Sequence, residues 1–379
     1  MENNDVYIKA VEKLGYPGSE SGVNYLKLLM TPEECKLLCE FVTPATCQEV
    51  TERLKINEQS LQAKLDDFVR RRLLRHGKTQ YHFQFGFHVS FNDLPQMLKN
   101  EELPLGFWQV FADFTEEELE KYWMPAMTER AENTTVPGSR VIPNRLALDA
   151  SPKIRPEQVL WYEDYHELLK KIGNEIPVTD CPCRQKYHNC DRAIHVCFAI
   201  KVEPDPEKRF RTEVVSLEQA IALSDQGEKD GLVHLTPFPM GNHDLSVSGR
   251  GAVACNCCAC CCTVLKTAIQ SGRLRQLYSP SRYLAVVDTD RCKGCQECTG
   301  RCFFNAITMR NTSNSPKKKA HVLPENCMGC GSCIVGCKQK AITFELVRPP
   351  EHIPSEKTVT PVKRGYFSFS RSPAFVVLR

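Results

Sequence analysis

Two cysteine runs in this chain share one spacing. Cys292-x₂-Cys295-x₂-Cys298-x₃-Cys302 is followed by Cys327-x₂-Cys330-x₂-Cys333-x₃-Cys337, and every cysteine of the first run recurs 35 residues later. The same offset relates Ala306-Ile307-Thr308 to Ala341-Ile342-Thr343, so residues 283–347 are an internal duplication. Each half reads as strand, cysteine loop, short helix and second strand. Three thiolates two residues apart on a tight loop can each reach a different iron of one cube, and the fourth iron must be held from elsewhere. The fourth cysteine of each run is placed to serve the other half's cluster. The first [4Fe–4S] cluster is therefore assigned to Cys292, Cys295, Cys298 and Cys337, and the second to Cys327, Cys330, Cys333 and Cys302. Gly294, Gly329 and Gly331 suit loops that must turn tightly and present N–H groups to sulfur. Zinc ribbons use two separated Cys-x₂-Cys pairs, which is a different pattern.

On these residues the segment 283–347 resembles the bacterial-type two-[4Fe–4S] ferredoxins. That family usually carries Pro after the fourth cysteine of each run; here Phe303 and Lys338 stand there. Ligation is unaffected, but the exclusion of solvent around each cluster departs from the family. The insert Asn311–Lys319 lengthens the link between the halves. It is read as a solvated loop in preference to a docking patch built on Lys317, Lys318 and Lys319.

A second cysteine-rich region precedes the first. The chain has 379 residues and 21 cysteines, and ten of these fall in two groups between Cys181 and Cys262. The first group is Cys181, Cys183, Cys190 and Cys197; the second is Cys255, Cys257, Cys258, Cys260, Cys261 and Cys262. Thiols this dense are an oxidation hazard unless bound, and soft thiolates select iron–sulfur clusters, zinc or Cu(I). One or two further iron–sulfur clusters are the favoured reading, with not all ten cysteines used. A zinc site at Cys181, Cys183, Cys190 and Cys197 and a zinc or Cu(I) store are the weaker alternatives. On a helix, Cys258, Cys261 and Cys262 would share a face, with Cys255 a turn earlier and Cys257 and Cys260 pointing elsewhere. Arg184, His188, Asn189 and His234 lie beside these cysteines and could donate hydrogen bonds around a cluster or serve only structural hydrogen bonding. His195, in an apolar strand-like run, reads as a core residue.

Composition narrows the class. A secreted disulfide protein is short and spreads its cysteines as staples, which this chain does not. The opening MENNDVYIKAVEKLGY has no apolar signal core, and no apolar run of membrane-spanning length appears. A cytoplasmic protein of a reducing, anaerobic cell is expected. The formal charge of +3 counts thiols as neutral; two cubanes, each about −2 with its four thiolates, bring it to about −1. A strongly basic surface is thereby excluded.

The fold class expected is α+β and multidomain. Residues 1–86 form a winged-helix-like unit: Thr31-Pro32-Glu33-Glu34 starts a helix bearing Leu37, Leu38 and Phe41, Thr43-Pro44 opens a second, and Asn57 caps a third with Leu61, Leu65, Phe68 and Val69. Gly77 ends the third helix, and residues 80–85 alternate like a strand. Residues 87–178 are a helical and linker region, with an acidic helix around Thr115–Tyr122, a Pro- and Gly-bearing linker from Thr134 to Pro156 and a helix near Tyr162–Ile172. An irregular cysteine-rich domain, 179–265, includes a helix at Leu217–Gln226. A connecting helix, 266–282, the ferredoxin module, 283–347, and a tail, 348–379, complete the order. The tail ends in the apolar run Pro373–Leu378.

Taken together, Met30-Thr31-Pro32-Glu33-Glu34, Cys181-Pro182-Cys183-Arg184 with Asn189-Cys190-Asp191, Gly231-Leu232-Val233-His234 and the Cys255–Cys262 run resemble a family of 4Fe–4S binding proteins of anaerobic bacteria and archaea. The resemblance covers residues 30–347 and implies a redox role without a substrate. No Gly-rich dinucleotide fingerprint and no Gly-x₄-Gly-Lys-Ser/Thr loop occurs, so no NAD or ATP site is recognised and electrons should come from a protein partner. The expected function is electron transfer to or from a partner oxidoreductase. Whether the chain is itself an enzyme stays open: one alternative is a reductase with an unusual cluster at Cys255–Cys262. Another is a redox-responsive DNA-binding regulator, for which Lys64, Arg70, Arg71, Arg72 and Arg75 on or after the third helix would meet phosphates; nucleic acid is the less favoured partner.

Overall fold

The computed structural model describes residues 2–71, 73–77, 79–83, 103–123, 139–200, 213–235, 252–313 and 315–353. The chain forms two compact units, one within residues 1–126 and the other within 127–360.

The first unit is helical. Helices α1 (Glu2–Lys13) and α2 (Glu20–Leu29) precede α3 (Pro32–Leu38), α4 (Cys47–Leu54) and α5 (Glu58–Arg70). Thr31 caps α3 in a full capping box with Glu34, as its sequence indicates, and Asn57 caps α5. A hairpin of β1 (Arg75–His76) and β2 (Tyr81–His82) follows, so the order of three helices and a hairpin is present. Helix α6 (Phe107–Glu118) starts earlier than its acidic residues suggest, because its apolar side chains are what hold it. Phe107, Phe111 and Phe114 surround the buried Tyr25, with Phe114 stacked on that ring at 5.4 Å. Helices α1 and α2 complete this core and were not expected from the sequence.

In the second unit a seven-stranded sheet runs in the order β6-β4-β5-β8-β7-β3-β9. Its strands are β3 (Ser139–Ile142), β4 (Glu175–Asp180), β5 (His195–Ile200), β6 (Glu213–Ser216), β7 (Val233–Leu235), β8 (Ala252–Cys257) and β9 (Tyr278–Ser279). All neighbours pair antiparallel except β3 with β9. The stretch read as a linker thus supplies β3, and also α7 (Arg145–Asp149). Asn144 between them binds the cysteine loop: its backbone N–H donates to Cys330 O at 2.8 Å. Helices α8 (Tyr165–Ile172), α9 (Pro182–Tyr187) and α10 (Leu217–Lys229) pack beside the sheet. The expected connecting helix is broken into α11 (Thr263–Gln270) and α12 (Leu274–Leu277) at Ser271-Gly272, where Gly272 takes φ +69°.

The duplicated half-units follow. Strand β10 (Tyr283–Val287) pairs with β13 (Ile342–Leu346), and β11 (Ile307–Thr312) pairs with β12 (Ser315–Val322), both antiparallel. The short helices α13 (Glu297–Arg301) and α14 (Ser332–Val335) follow the two cysteine loops. The insert read as a solvated loop is solvated but not a loop: it covers the end of β11 and the first part of β12, where Lys317 and Lys318 are exposed while the ladder to β11 holds the chain as a strand. The apolar run Pro373–Leu378 and the residues 84 and 85 of the expected strand lie outside the described residues. Among the described residues no helix is long and apolar enough to cross a membrane.

Candidate metal centres

Six of the eight ferredoxin cysteines stand on the loops that precede and follow α13 and α14, and Cys298 and Cys333 stand within the helices themselves. Cys292, Cys295, Cys298 and Cys337 line one pocket together with Met309, Ala320 and Ile342. On the other side, negative charge at Cys302 and Cys327 acts on Cys330 and Cys333, so the fourth cysteine of the first run faces the second run. Burial raises the Cys298 thiol to about 11 and the Cys330 thiol to about 12. Backbone N–H groups point at the outlying sulfurs: Ala306 N donates to Cys302 Sγ and Ala341 N to Cys337 Sγ, each at 3.3 Å. The loops need glycine. A Cβ at Gly329, where φ is +67°, would fall 2.1 Å from Ser281 Oγ and 2.4 Å from Tyr283 O.

The ten central cysteines do not follow their sequence groups. β8 is an inner strand hydrogen-bonded to both β5 and β7, so the Cys255–Cys262 run begins extended rather than helical. Alternation sends Cys255 and Cys257 to one face and Asn256 to the other. A turn then carries Cys258, Cys260 and Cys261, and Cys262 caps α11, its Sγ accepting from Leu265 N. The run is thereby divided between two places.

One of these collects Cys258, Cys260 and Cys261 with Cys190 from the other group; all four sulfurs lie within 4.8 Å of one another. Cys190 Sγ is 3.8 Å from Cys258 Sγ and 3.7 Å from Cys261 Sγ, and Cys261 Sγ is 3.8 Å from Cys260 Sγ. A tetrahedral ion with metal–sulfur bonds of about 2.3 Å spaces its sulfurs by about 3.8 Å. Around a cube, where each thiolate binds its own iron, the sulfurs stand farther apart. The tetrad therefore fits a single ion. The Cys261 thiol donates to Cys258, which with Arg184 nearby pulls Cys258 down to about 4, a thiolate at neutral pH.

The other six, Cys181, Cys183, Cys197, Cys255, Cys257 and Cys262, lie together around the ends of β4, β5 and β8 and the starts of α9 and α11. Cys190 is thus parted from Cys181, Cys183 and Cys197, with which it would have made a zinc site.

The polar residues beside these cysteines have distinct places. Arg184 is only 1% exposed; its Nη1 donates to Asn256 O at 2.9 Å and stands 3.9 Å from Cys258 Sγ. Asn189 Nδ2 donates to Cys260 O at 2.9 Å. His188 ends α9 in the left-handed conformation, φ +47°, and is exposed. His234 belongs to a buried polar chain: its Nε2 lies 2.8 Å from Glu228 Oε1, its Nδ1 contacts Asn256 Oδ1, and its ring stacks on Tyr165 at 3.8 Å. His195 has a partner, Asp180 Oδ1 at 2.9 Å, but its side chain keeps 35% exposure at the sheet's margin and is no core residue.

Two residues were not singled out for a role here. Arg192 Nη1 donates to Cys260 Sγ at 3.6 Å, and its guanidinium lies 5.3 Å from the centre of the Phe303 ring. Phe303 is the residue that stands where ferredoxins usually have proline, and it packs with Cys190 and Cys260 against buried Cys258, Cys261, Val196 and Leu232. The departure at Phe303 was the available signal. In the first unit, Arg71 is paired with Glu34 and Asp67, and Arg70 with Asp67. Arg72 and the side chain of Arg75 lie outside the described residues.

Residues 291–341 match the family described as "4Fe-4S dicluster domain". No curated protein and no solved structure matches the chain significantly. The duplicated module, with its thiolate-only donor set, makes this an iron–sulfur protein with an electron-transfer role.

Proposed function

We propose that this protein relays single electrons between a partner oxidoreductase and metal centres held by the central cysteines, entering or leaving through the two ferredoxin-type clusters. Cys292, Cys295, Cys298 and Cys337 hold one cluster, and Cys327, Cys330, Cys333 and Cys302 the other. The shared pocket of the first four supports that set. The chemistry such clusters supply when bound is one-electron transfer without bond making.

One observation carries the reading. Cys302 is followed directly by Phe303, which packs against the buried cluster of Val196, Leu232, Cys258 and Cys261 and under the guanidinium of Arg192. A ligand of one ferredoxin cluster is thus the chain neighbour of a side chain packed against a cluster that contains two of the tetrad cysteines, Cys258 and Cys261. Zinc has no redox chemistry, so a relay requires iron in the tetrad. At the opposite end Cys295 is exposed, with Lys293, Lys317 and Lys318 exposed near it. Gly294 lies against Lys318 O, which brings the lysine-bearing strand to the first cysteine loop. That edge suits an acidic redox partner.

The Cys255–Cys262 run is divided between two places, so a reductase cluster would take only part of it together with cysteines of the first group. Of the arginines in the regulator alternative, Arg70 and Arg71 are paired with Asp67 and Glu34, which offsets their charge and favours the relay over phosphate binding. The test is stopped-flow reduction of anaerobically purified protein, following the ferredoxin and tetrad signals separately. The relay predicts that Phe303→Ala slows the second phase and leaves the first unchanged. Equal rates in both phases for the variant and the parent would dismiss it.

A further inference from the structure

The six cysteines outside the tetrad make a closed ring. Cys181 hydrogen-bonds Cys183 and Cys197; Cys183 continues to Cys262, Cys262 to Cys257, Cys257 to Cys255, and Cys255 back to Cys197. Among the described residues no three of these six sulfurs lie within 4.8 Å of one another, unlike those of the tetrad, so the ring is open. The fold builds this arrangement from separate elements. Cys181 caps α9 and its N–H is tied to Ile194 O at 2.8 Å, Cys255 and Cys257 share one face of β8, and Cys262 caps α11. Five of the six are under 8% exposed.

Ring size decides what fits. At sulfur contact distances the centre of an open six-membered ring lies roughly 4 Å from every sulfur, beyond the about 2.3 Å of a metal–thiolate bond. No single ion can serve it. Four-coordinate zinc and three-coordinate Cu(I) gather at least three thiolate sulfurs in mutual contact around each ion, and among the described residues no three of these six are that close. An open ring instead requires inorganic bridging atoms inside it.

Arg184 supplies an independent sign of negative charge there. Its Nε and Nη2 have no hydrogen-bond partner although the side chain, which follows Cys183 in the chain, is only 1% exposed. A buried guanidinium with two idle donors is costly unless anionic sulfur meets it.

We propose that Cys181, Cys183, Cys197, Cys255, Cys257 and Cys262 form a second central site that binds a polynuclear, sulfide-bridged iron core through more than the four thiolates a cubane takes, with Arg184 as its buried counter-charge. Each ligating thiol releases one proton on loading. The proposal rests on the preceding reading only in taking iron–sulfur clusters to be assembled on this chain.

The test is iron and acid-labile sulfide counted on full-length protein purified without oxygen. The ferredoxin module accounts for about 8 sulfides, and the ring should raise the total to about 12 or more. The double variant Cys197→Ser, Cys257→Ser should lose about a third of the sulfide, with matching iron, and keep the reduced-ferredoxin EPR signal. Cys260→Ser, in the tetrad, should lose one metal and no sulfide. A wild-type total of about 8 sulfides overturns the proposal without recourse to any variant. So does a ring variant that retains all its sulfide or loses only zinc. Loss of the ferredoxin signal together with the sulfide in the ring variant would assign that sulfide to the ferredoxin module and overturn the ring, whereas equal stopped-flow rates for Phe303→Ala and parent would overturn the relay and leave the ring standing.

Discussion

Arg301, between two cysteines of the first ferredoxin run, donates from Nη2 to the backbone carbonyl of Glu228 at 2.9 Å. Its Nη1 reaches Lys229 O at 3.0 Å and its Nε reaches Ser332 O at 2.8 Å. One side chain thus ties α13 to the end of α10 and to the start of α14. Glu228 in turn uses its carboxylate to accept from the N–H groups of Arg145 and Leu146, at 2.7 and 2.8 Å, and lies against His234. The stretch 228–229 is therefore one of the places, with Asn144 at Cys330, where the ferredoxin module is pinned to the sheet that carries the central cysteines.

Replacing Arg301 by Met keeps the aliphatic stem and removes three donors. Charge-assisted hydrogen bonds contribute about 1.5–3 kcal/mol each when well buried, and these are only partly so, so a loss of about 2 kcal/mol is expected. Chemical denaturation of the metal-loaded protein measures it. Unchanged stability would show that water replaces the guanidinium at no cost.

The buried pair Glu163–Arg282, 2.8 Å apart and at 0% and 3% side-chain exposure, should respond asymmetrically. Burial pushes the Glu163 carboxyl up, against the pull of Arg282. Arg282→Met strands a carboxylate in the interior and should cost about 3–5 kcal/mol. Glu163→Gln leaves Arg282 its bond to Arg348 O at 3.2 Å, and Arg140 still bonds Tyr162 O, so the cost should be smaller. Thermal unfolding of the two variants compares them, and a larger loss for Glu163→Gln would reverse the account.

Exchange of the fourth ligands can be tested directly. Cys337→Ser should alter the cluster held by Cys292, Cys295 and Cys298, and Cys302→Ser the one held by Cys327, Cys330 and Cys333. EPR of the reduced protein, with each variant perturbing the remote cluster and sparing the near one, is the expected outcome. Perturbation of the near cluster in both cases would mean that each run serves itself.

How much of this could be read in the sequence depends on whether the residues that decide each feature are near one another in the chain. The ferredoxin loops could, because ligand order, glycine positions and the 35-residue repeat are local and mutually constraining. Helix α3 could, since Thr31 and Glu34 satisfy each other within one turn. Cys190 could not: its neighbours Cys258 and Cys261 are set by the return of β8 beside β5, a long-range pairing that no local spacing encodes. The Cys255–Cys262 run was read on a helical wheel, and pairing on both edges of β8 overrode that periodicity. The linker failed likewise, because β3 has only four residues and is held by β7 and β9 from distant parts of the chain.

The raised thiols of the ferredoxin loops have opposite consequences for the metal-free and metal-bound chain. Burial holds Cys298 at about 11 and Cys330 at about 12, whereas an unfolded thiol titrates near about 8.5. Between those values the folded metal-free chain binds more protons than the unfolded one, so its stability falls as pH rises. The contribution is fully present below about pH 8.5 and is lost progressively as pH rises through about 11–12. Metal loading runs the other way. Each ligating thiol must give up its proton, so cluster assembly at pH 6.5 should be weaker than at pH 8.5, by up to about tenfold per unit for every proton released. Chelator competition across that range checks the second statement, and urea unfolding of the metal-free protein from pH 7 to 10 checks the first. Metal-free stability that rose over that interval would mean these thiols are solvated in the folded chain, contrary to the burial of Cys298 and Cys330.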